Sequence, residues 1–113
     1  MRESFPQCLR ISTKRDIQLL KDSDRKLKGK YVVIIYRENG LDFARLLPVV
    51  SSKVGNAVMR NRIKRKIREV FRKRVKSLSG YDLMIIAKRL AAGAVYSELE
   101  IDILKTLEPI IDE

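Results

Sequence analysis

The clearest apolar run in the chain is YVVIIYR, residues 31–37, whose β-branched and aromatic side chains predict a strand. Glu38-Asn39-Gly40 supplies turn chemistry, and FARLLPVVS over residues 43–51 predicts a second strand, so the two are expected to pair as an antiparallel hairpin. Pro48 removes a ladder donor, which points to an edge position or a bulge in that second strand. Beyond Gly55 the apolar period changes. At about 100° per residue, Met59, Ile63, Ile67, Val70, Phe71 and Val75 fall on one stripe. That spacing predicts a helix over residues 57–77, capped by Asn56 and closed by Ser79-Gly80. YDLMIIAK, residues 81–88, reads as a buried third strand, and Leu99, Ile103, Leu104 and Leu107 mark a final helix over residues 96–108. Near the start, TKRDIQLLKD predicts a short helix with Ser12 or Thr13 as N-cap and Ile11, Ile17 and Leu20 turned inward. Residues 23–30 are polar, lysine-rich and contain Gly29, which suits a loop with room for a short edge strand.

Strand, long helix and strand in succession suggest a βαβ crossover with parallel strands, hence an α+β class with one layer of helices on one sheet. A length of 113 residues with 45% apolar content fits a single domain, residues 1–113, with one hydrophobic core. There is no internal repeat and no run of about 18 apolar residues that would span a membrane. The opening MRESFPQCLR lacks the apolar segment of a signal peptide, and the single Cys8 suits a reducing compartment, so a cytoplasmic location is expected.

Charge sharpens this picture. The net charge is +11, but residues 57–79 hold ten basic side chains against one acid, while residues 80–113 hold three against seven. A solvated helix face normally mixes both signs, and here Glu69 is the sole acid among Arg60, Arg62, Lys64, Arg65, Lys66, Arg68, Arg72, Lys73, Arg74 and Lys76. Like charges at helical spacing repel, so a polyanion is the expected counterion.

Two absences restrict the chemistry. With no histidine and one cysteine, a histidine-based nuclease, a Cys/His zinc module and a Ser-His-Asp triad are excluded. Asp16, Asp42 and Asp82 stand singly, without the spacing of a carboxylate-held Mg²⁺ site. No catalytic residue and no protein-bound metal is assigned.

Function concentrates in SSKVGNAVMRNRIKRKIREVFR, residues 51–72: a strand end, a glycine turn and a helix N-terminus loaded with arginine and lysine. Backbone N–H groups and cationic side chains meet there, and the arginine fork bonds phosphate oxygens bidentately. A helix of about 20 residues is about 30 Å long and can follow several consecutive phosphates. If about six are neutralised, affinity should fall with salt at a log–log slope of about −4 to −5. Asn61 is the one uncharged polar residue in the first turns able to read a base edge, so backbone and shape recognition are favoured. Among the aromatic residues Phe71 is expected in the core, whereas strand alternation sets Tyr31 and Tyr36 on opposite faces, leaving one free for a ligand.

In order and without a gap, Ser51, Lys53, Gly55, Asn56, Ala57, Val58, Arg60, Asn61, Arg62, Lys64, Arg65, Arg68 and Glu69 closely resemble the RNR signature of bacterial ribonuclease P proteins. Weaker matches at Arg10, around Arg45 and over Asp82 to Lys88 extend the resemblance along most of the chain. It implies a single-domain αβββαβα sandwich around a central sheet, with the basic helix in a left-handed βαβ crossover where generic rules predict a right-handed one. It also implies a protein subunit of an endoribonuclease ribonucleoprotein that trims the 5′ ends of precursor tRNA, with catalysis by the RNA subunit and its Mg²⁺. The expected partners are ribonuclease P RNA and precursor tRNA, and the protein is expected to be monomeric without RNA. Its implied RNA-binding residues are Lys53, Asn56, Arg60, Asn61, Arg62, Lys64, Arg65 and Arg68, with Asn61, Arg65 and Arg68 along the edge of a cleft for the single-stranded 5′ leader. Ile17, Lys21 and Tyr31 are the leader-cleft candidates, with Ile17 and Lys21 standing where the family usually carries aromatic residues. Leu47 replaces the usual strand glycine, and Ser52-Lys53 the usual Lys-Lys. Size and charge alone would equally allow a ribosomal protein. A DNA-binding helix module would need a helix and short turn before the basic helix, where strands stand instead.

Overall fold

The computed structural model describes residues 10–75 and 78–111. Phe5 and Cys8 lie outside the described residues, as do residues 76 and 77 at the expected end of the basic helix. Helix α1 (Lys14–Lys21) starts where Thr13 Oγ1 accepts the Asp16 backbone N–H at 3.2 Å. Three strands follow, β1 (Lys26–Lys28), β2 (Val32–Glu38) and β3 (Arg45–Val49), then α2 (Ala57–Val70), β4 (Tyr81–Ala87), α3 (Tyr96–Thr106) and a single turn, α4 (Glu108–Ile111). The order is αβββαβα with α4 appended. Helix α2 is regular to Val70 and widens into a π-helical turn over Phe71–Val75, inside the stretch expected to be one helix.

Strand order departs from expectation. The sheet runs β1-β2-β4-β3, so β2 and β3 do not form a hairpin; β4 lies between them, antiparallel to β2 and parallel to β3. The reason is burial on both faces and both edges. Within β4, Asp82, Leu83, Met84, Ile85 and Ala87 are buried, so the strand belongs in the interior, while Pro48 keeps β3 at the edge. Asn39 turns the chain across β4 rather than back along β2. Its backbone N–H donates to Gly80 O at 2.9 Å and its Nδ2 to Asp82 Oδ1 at 2.9 Å, while Gly40 takes φ +69°. The parallel β3–α2–β4 unit is as expected.

Helices cover both faces of this sheet, not one. Ile63, Ile67, Val70 and Phe71 of the α2 stripe and Leu99, Ile103 and Leu107 of the α3 segment pack with Val32, Ile34, Leu46, Leu83 and Ile85 in the main core. Across the sheet, Leu20 of α1 packs with Ile11, Ile35 and Met84 in a smaller cluster bordered by Ile17, Leu47, Val49 and Ile86. The α1 end of that second face is tied by charge. Asp82, fully buried, accepts Arg45 Nε and Nη2 at 2.8 Å each and Arg37 Nη1 at 3.3 Å, and Arg45 Nη1 reaches Asp16 of α1 at 3.3 Å. Ser23, just after α1, donates to Tyr36 O at 2.8 Å.

Candidate nucleic-acid interface

The basic helix begins at a tight turn. Val54 N–H donates to Ser51 O at 3.1 Å, and a Cβ on Gly55 would sit 3.0 Å from Met59 Cγ. Asn56 Oδ1 accepts the Met59 backbone N–H at 2.9 Å, so Asn56 is an N-cap that sets the helix direction, while Lys53 stands exposed on the turn before it. With Ile63, Ile67 and Val70 buried, helical spacing sends Arg60, Lys64 and Arg68 down one flank in an i, i+4, i+8 row. Asn61, Arg62 and Arg65 are exposed; Arg60, Lys64 and Arg68 are half-buried. Among the described residues none of Arg60, Arg62, Lys64, Arg65 and Arg68 has an ion pair. Arg60 Nε is buried without a hydrogen-bond partner. Burial, and then the neighbouring Arg10 guanidinium, push the Arg68 guanidinium below its ordinary value, though an arginine stays charged. Arg10 itself lies on the open edge of β3, in a parallel bridge to Leu46, so α2 and the β3 edge bring like charges together.

The rest of the basic run is answered from within. Arg72 Nη2 and Lys73 Nζ meet Glu69 at 3.1 and 3.8 Å, Arg74 meets Glu100 of α3 at 3.8 Å, and Lys66 Nζ donates to Ala94 O at 3.2 Å. Among the described residues, the one-signed ridge expected over residues 60–76 therefore narrows to Arg60, Arg62, Lys64, Arg65 and Arg68, because Glu69 of the same helix answers Arg72 and Lys73, and Glu100 of α3, distant in sequence, meets Arg74.

The candidate cleft residues divide. Ile17 is half-buried against the small α1 cluster and Lys21 is exposed at the end of α1. Tyr31 is not brought together with them. It precedes the regular part of β2 and packs against the main core on the α3 side, donating through its hydroxyl to Glu98 Oε2 at 3.1 Å. Tyr36 packs on that same core, edge-on to Tyr81, so the two tyrosines do not lie on opposite faces; alternation does not extend to a residue outside the ladder. What the α1 face offers instead is aliphatic. The register aligns Val49, Ile86 and Val33 in one row across β3, β4 and β2, all half-buried. Strand alternation contained this signal, but it needed the strand order to become a surface.

Thus the α2 flank carries unanswered guanidinium groups near the β3 edge, and the opposite face of the sheet carries an open aliphatic row; the first suits phosphates and the second unpaired bases. The ribonuclease P family profile matches residues 5–110. The chain belongs to the ribonuclease P protein family. The ribonuclease P protein component of Thermotoga maritima is 38% identical over 90 residues, covering 79% of this chain and 77% of the relative. That of Syntrophus aciditrophicus is 39% identical over 103 residues, covering 88% and 87%. The solved ribonuclease P protein of Staphylococcus aureus superposes with TM-score 0.81 at 29% identity, covering 89% of this chain and 94% of that one. The Thermotoga maritima structure gives TM-score 0.80 at 29% identity, covering 88% and 96%. Membership in the ribonuclease P family carries a role in tRNA processing within a ribonucleoprotein, with ribonuclease P RNA as the implied partner. Among the described residues no helix is long and apolar enough to cross a membrane.

Proposed function

We propose that this chain is the RNA-binding, non-catalytic subunit of a cytoplasmic ribonuclease P, assisting endonucleolytic 5′ maturation of tRNA. The observation that carries the reading is the flank of α2, where Arg60, Arg62, Lys64, Arg65 and Arg68 have no acid partner among the described residues. Bound to ribonuclease P RNA, these groups and Lys53 neutralise phosphates, with release of counterions supplying much of the affinity. Asn56 serves indirectly by fixing the start of the helix. The single-stranded 5′ leader of precursor tRNA lies on the α1 face, over Val49, Ile86 and Val33, with Ile17 and Lys21 of α1 beside it. Aliphatic side chains contact bases without reading them, so little sequence preference is expected from this floor.

Mg²⁺ is assigned to the RNA subunit. The carboxylates of Asp16 and Asp82 are engaged by Arg45, and among the described residues no three acidic or cysteine side chains converge on a cation site. The protein's own work is electrostatic: its cations offset phosphate repulsion between the two RNAs and lower the Mg²⁺ concentration the complex requires. Reconstitution of precursor tRNA cleavage with cognate RNA at low Mg²⁺ tests the proposal. Strong enhancement by the protein is expected, and cleavage indifferent to the protein at every Mg²⁺ concentration would overturn it.

A further inference from the structure

The register that builds the aliphatic floor continues beyond it. Lys28 is the β1 partner of Val33 and Lys26 that of Ile35, so two cross-strand rows run over the whole sheet: Val49, Ile86, Val33, Lys28 and Leu47, Met84, Ile35, Lys26. Directly paired residues point to the same face of a sheet, and Ile35 and Met84 pack under α1, so both lysines lie on the α1 face. Helix α1 buries Ile35 and Met84 of the second row and leaves the first row half-open, because Asp16–Arg45 and Ser23–Tyr36 pin the helix toward the Asp82 end of the strands. Lys26 and Lys28 are both exposed, and among the described residues neither has an ion pair; the nearby Arg25 engages Glu38 at 3.8 Å. Strand β1 forms the edge of the sheet opposite to β3, so the open apolar row ends in exposed cations at its β1 edge.

We propose that Lys26 and Lys28 form a second phosphate track, holding the distal part of the leader after it has crossed the sheet. The inference rests on placing the leader on the α1 face. An aliphatic floor attracts unstacked bases but does nothing for the phosphates, whose repulsion would otherwise lift the strand from an uncharged edge. Lysine is well matched to such a strand, since a mobile point charge follows a flexible backbone without demanding one geometry. Lysines on an edge strand also discourage pairing with another sheet, and that role alone would give a different experimental result.

The test uses the full protein assembled with its RNA subunit and precursor tRNAs carrying long or truncated leaders. Replacing both residues, Lys26→Gln with Lys28→Gln, should weaken binding of the long-leader precursor by about three- to tenfold and flatten its log–log salt slope by about 1.4. Binding of the truncated precursor and of the RNA subunit should stay unchanged, and the charge-keeping pair Lys26→Arg with Lys28→Arg should restore the long-leader advantage. Equal loss with both leaders would overturn the inference. So would unchanged affinity with both, including the case where the glutamine variant merely aggregates more readily. If the unaltered protein itself showed no leader-length dependence, the leader assignment to the α1 face would fall first.

Discussion

Two groups of arginines in this chain have opposite surroundings. At one end of the sheet Arg37 and Arg45 converge on Asp82, whose carboxylate is fully buried and also accepts Asn39. Along α2, Arg60, Arg62, Arg65 and Arg68 face no carboxylate among the described residues. The first group is closed on itself: each cation meets an acid, and α1 is held in place by the additional bond from Arg45 to Asp16. The second leaves its charge to be neutralised from outside. A buried ion pair adds little net stability, since desolvation nearly offsets attraction, yet removing one partner strands the other. An exposed unpaired cation, as at Arg62 and Arg65, costs the fold little and is free to bind. The same residue type thus positions structure in one place and, in the proposed function, meets RNA phosphates in the other.

The sharpest way to break this contrast is Asp82→Ala. It should lower unfolding free energy by about 3–5 kcal/mol in urea titrations, because two arginines lose a buried partner. RNA affinity, measured on the folded fraction, should hold. A loss below about 1 kcal/mol would mean that the arginines were never committed to the fold.

Arg62→Ala and Arg65→Ala should do the reverse. Each is expected to weaken RNA binding by about three- to tenfold and flatten the salt slope by about 1, with stability changed by no more than about 0.5 kcal/mol. Destabilisation without loss of RNA binding would place these residues with the Asp82 group.

A smaller effect is expected at Asp16. The Thr13 hydroxyl, and beyond it the Arg45 guanidinium, hold its carboxyl below the ordinary carboxylate range against the opposing effect of burial. A depressed native pKa adds stability above the unfolded value of about 3.9 and loses it as pH falls through the native value. Asp16→Asn should therefore cost about 1 kcal/mol at neutral pH, and the deficit should vanish in acid. A deficit independent of pH would point to lost packing of α1 instead.

Least is expected of Glu100→Gln. Its pairing with Arg74 spans 3.8 Å with the arginine side chain 54% exposed, so the change should stay within about 0.5 kcal/mol and leave RNA affinity nearly unaltered. A large gain in RNA affinity would show that Glu100 masks Arg74 and that the open ridge extends farther along the helix.

Much of this was legible in the order of residues. The α2 stripe, the Asn56 cap and the apolar β4 run are local patterns, and each element appears where its period predicts it. Asn39-Gly40 misled because a turn signal says that the chain reverses, not which strand it will meet. Tyr31 misled for a related reason: the face it shares depends on the hydroxyl bond to Glu98 on α3. The basic run was legible as a sign imbalance, but its division into open and answered parts was not, since Glu100 reaches Arg74 only through packing of α3 beside α2.

By itself, then, the chain determined its elements, its net positive helix and the identity of the RNR segment, because periodicity, capping and charge sign act between near neighbours. Only the tertiary structure decided that β4 separates β2 from β3, that Asp82 captures two arginines, and that an aliphatic row ends in Lys28. Those outcomes depend on which distant segments bury one another, and the free energy of that choice is shared across the whole core rather than stored in any short stretch.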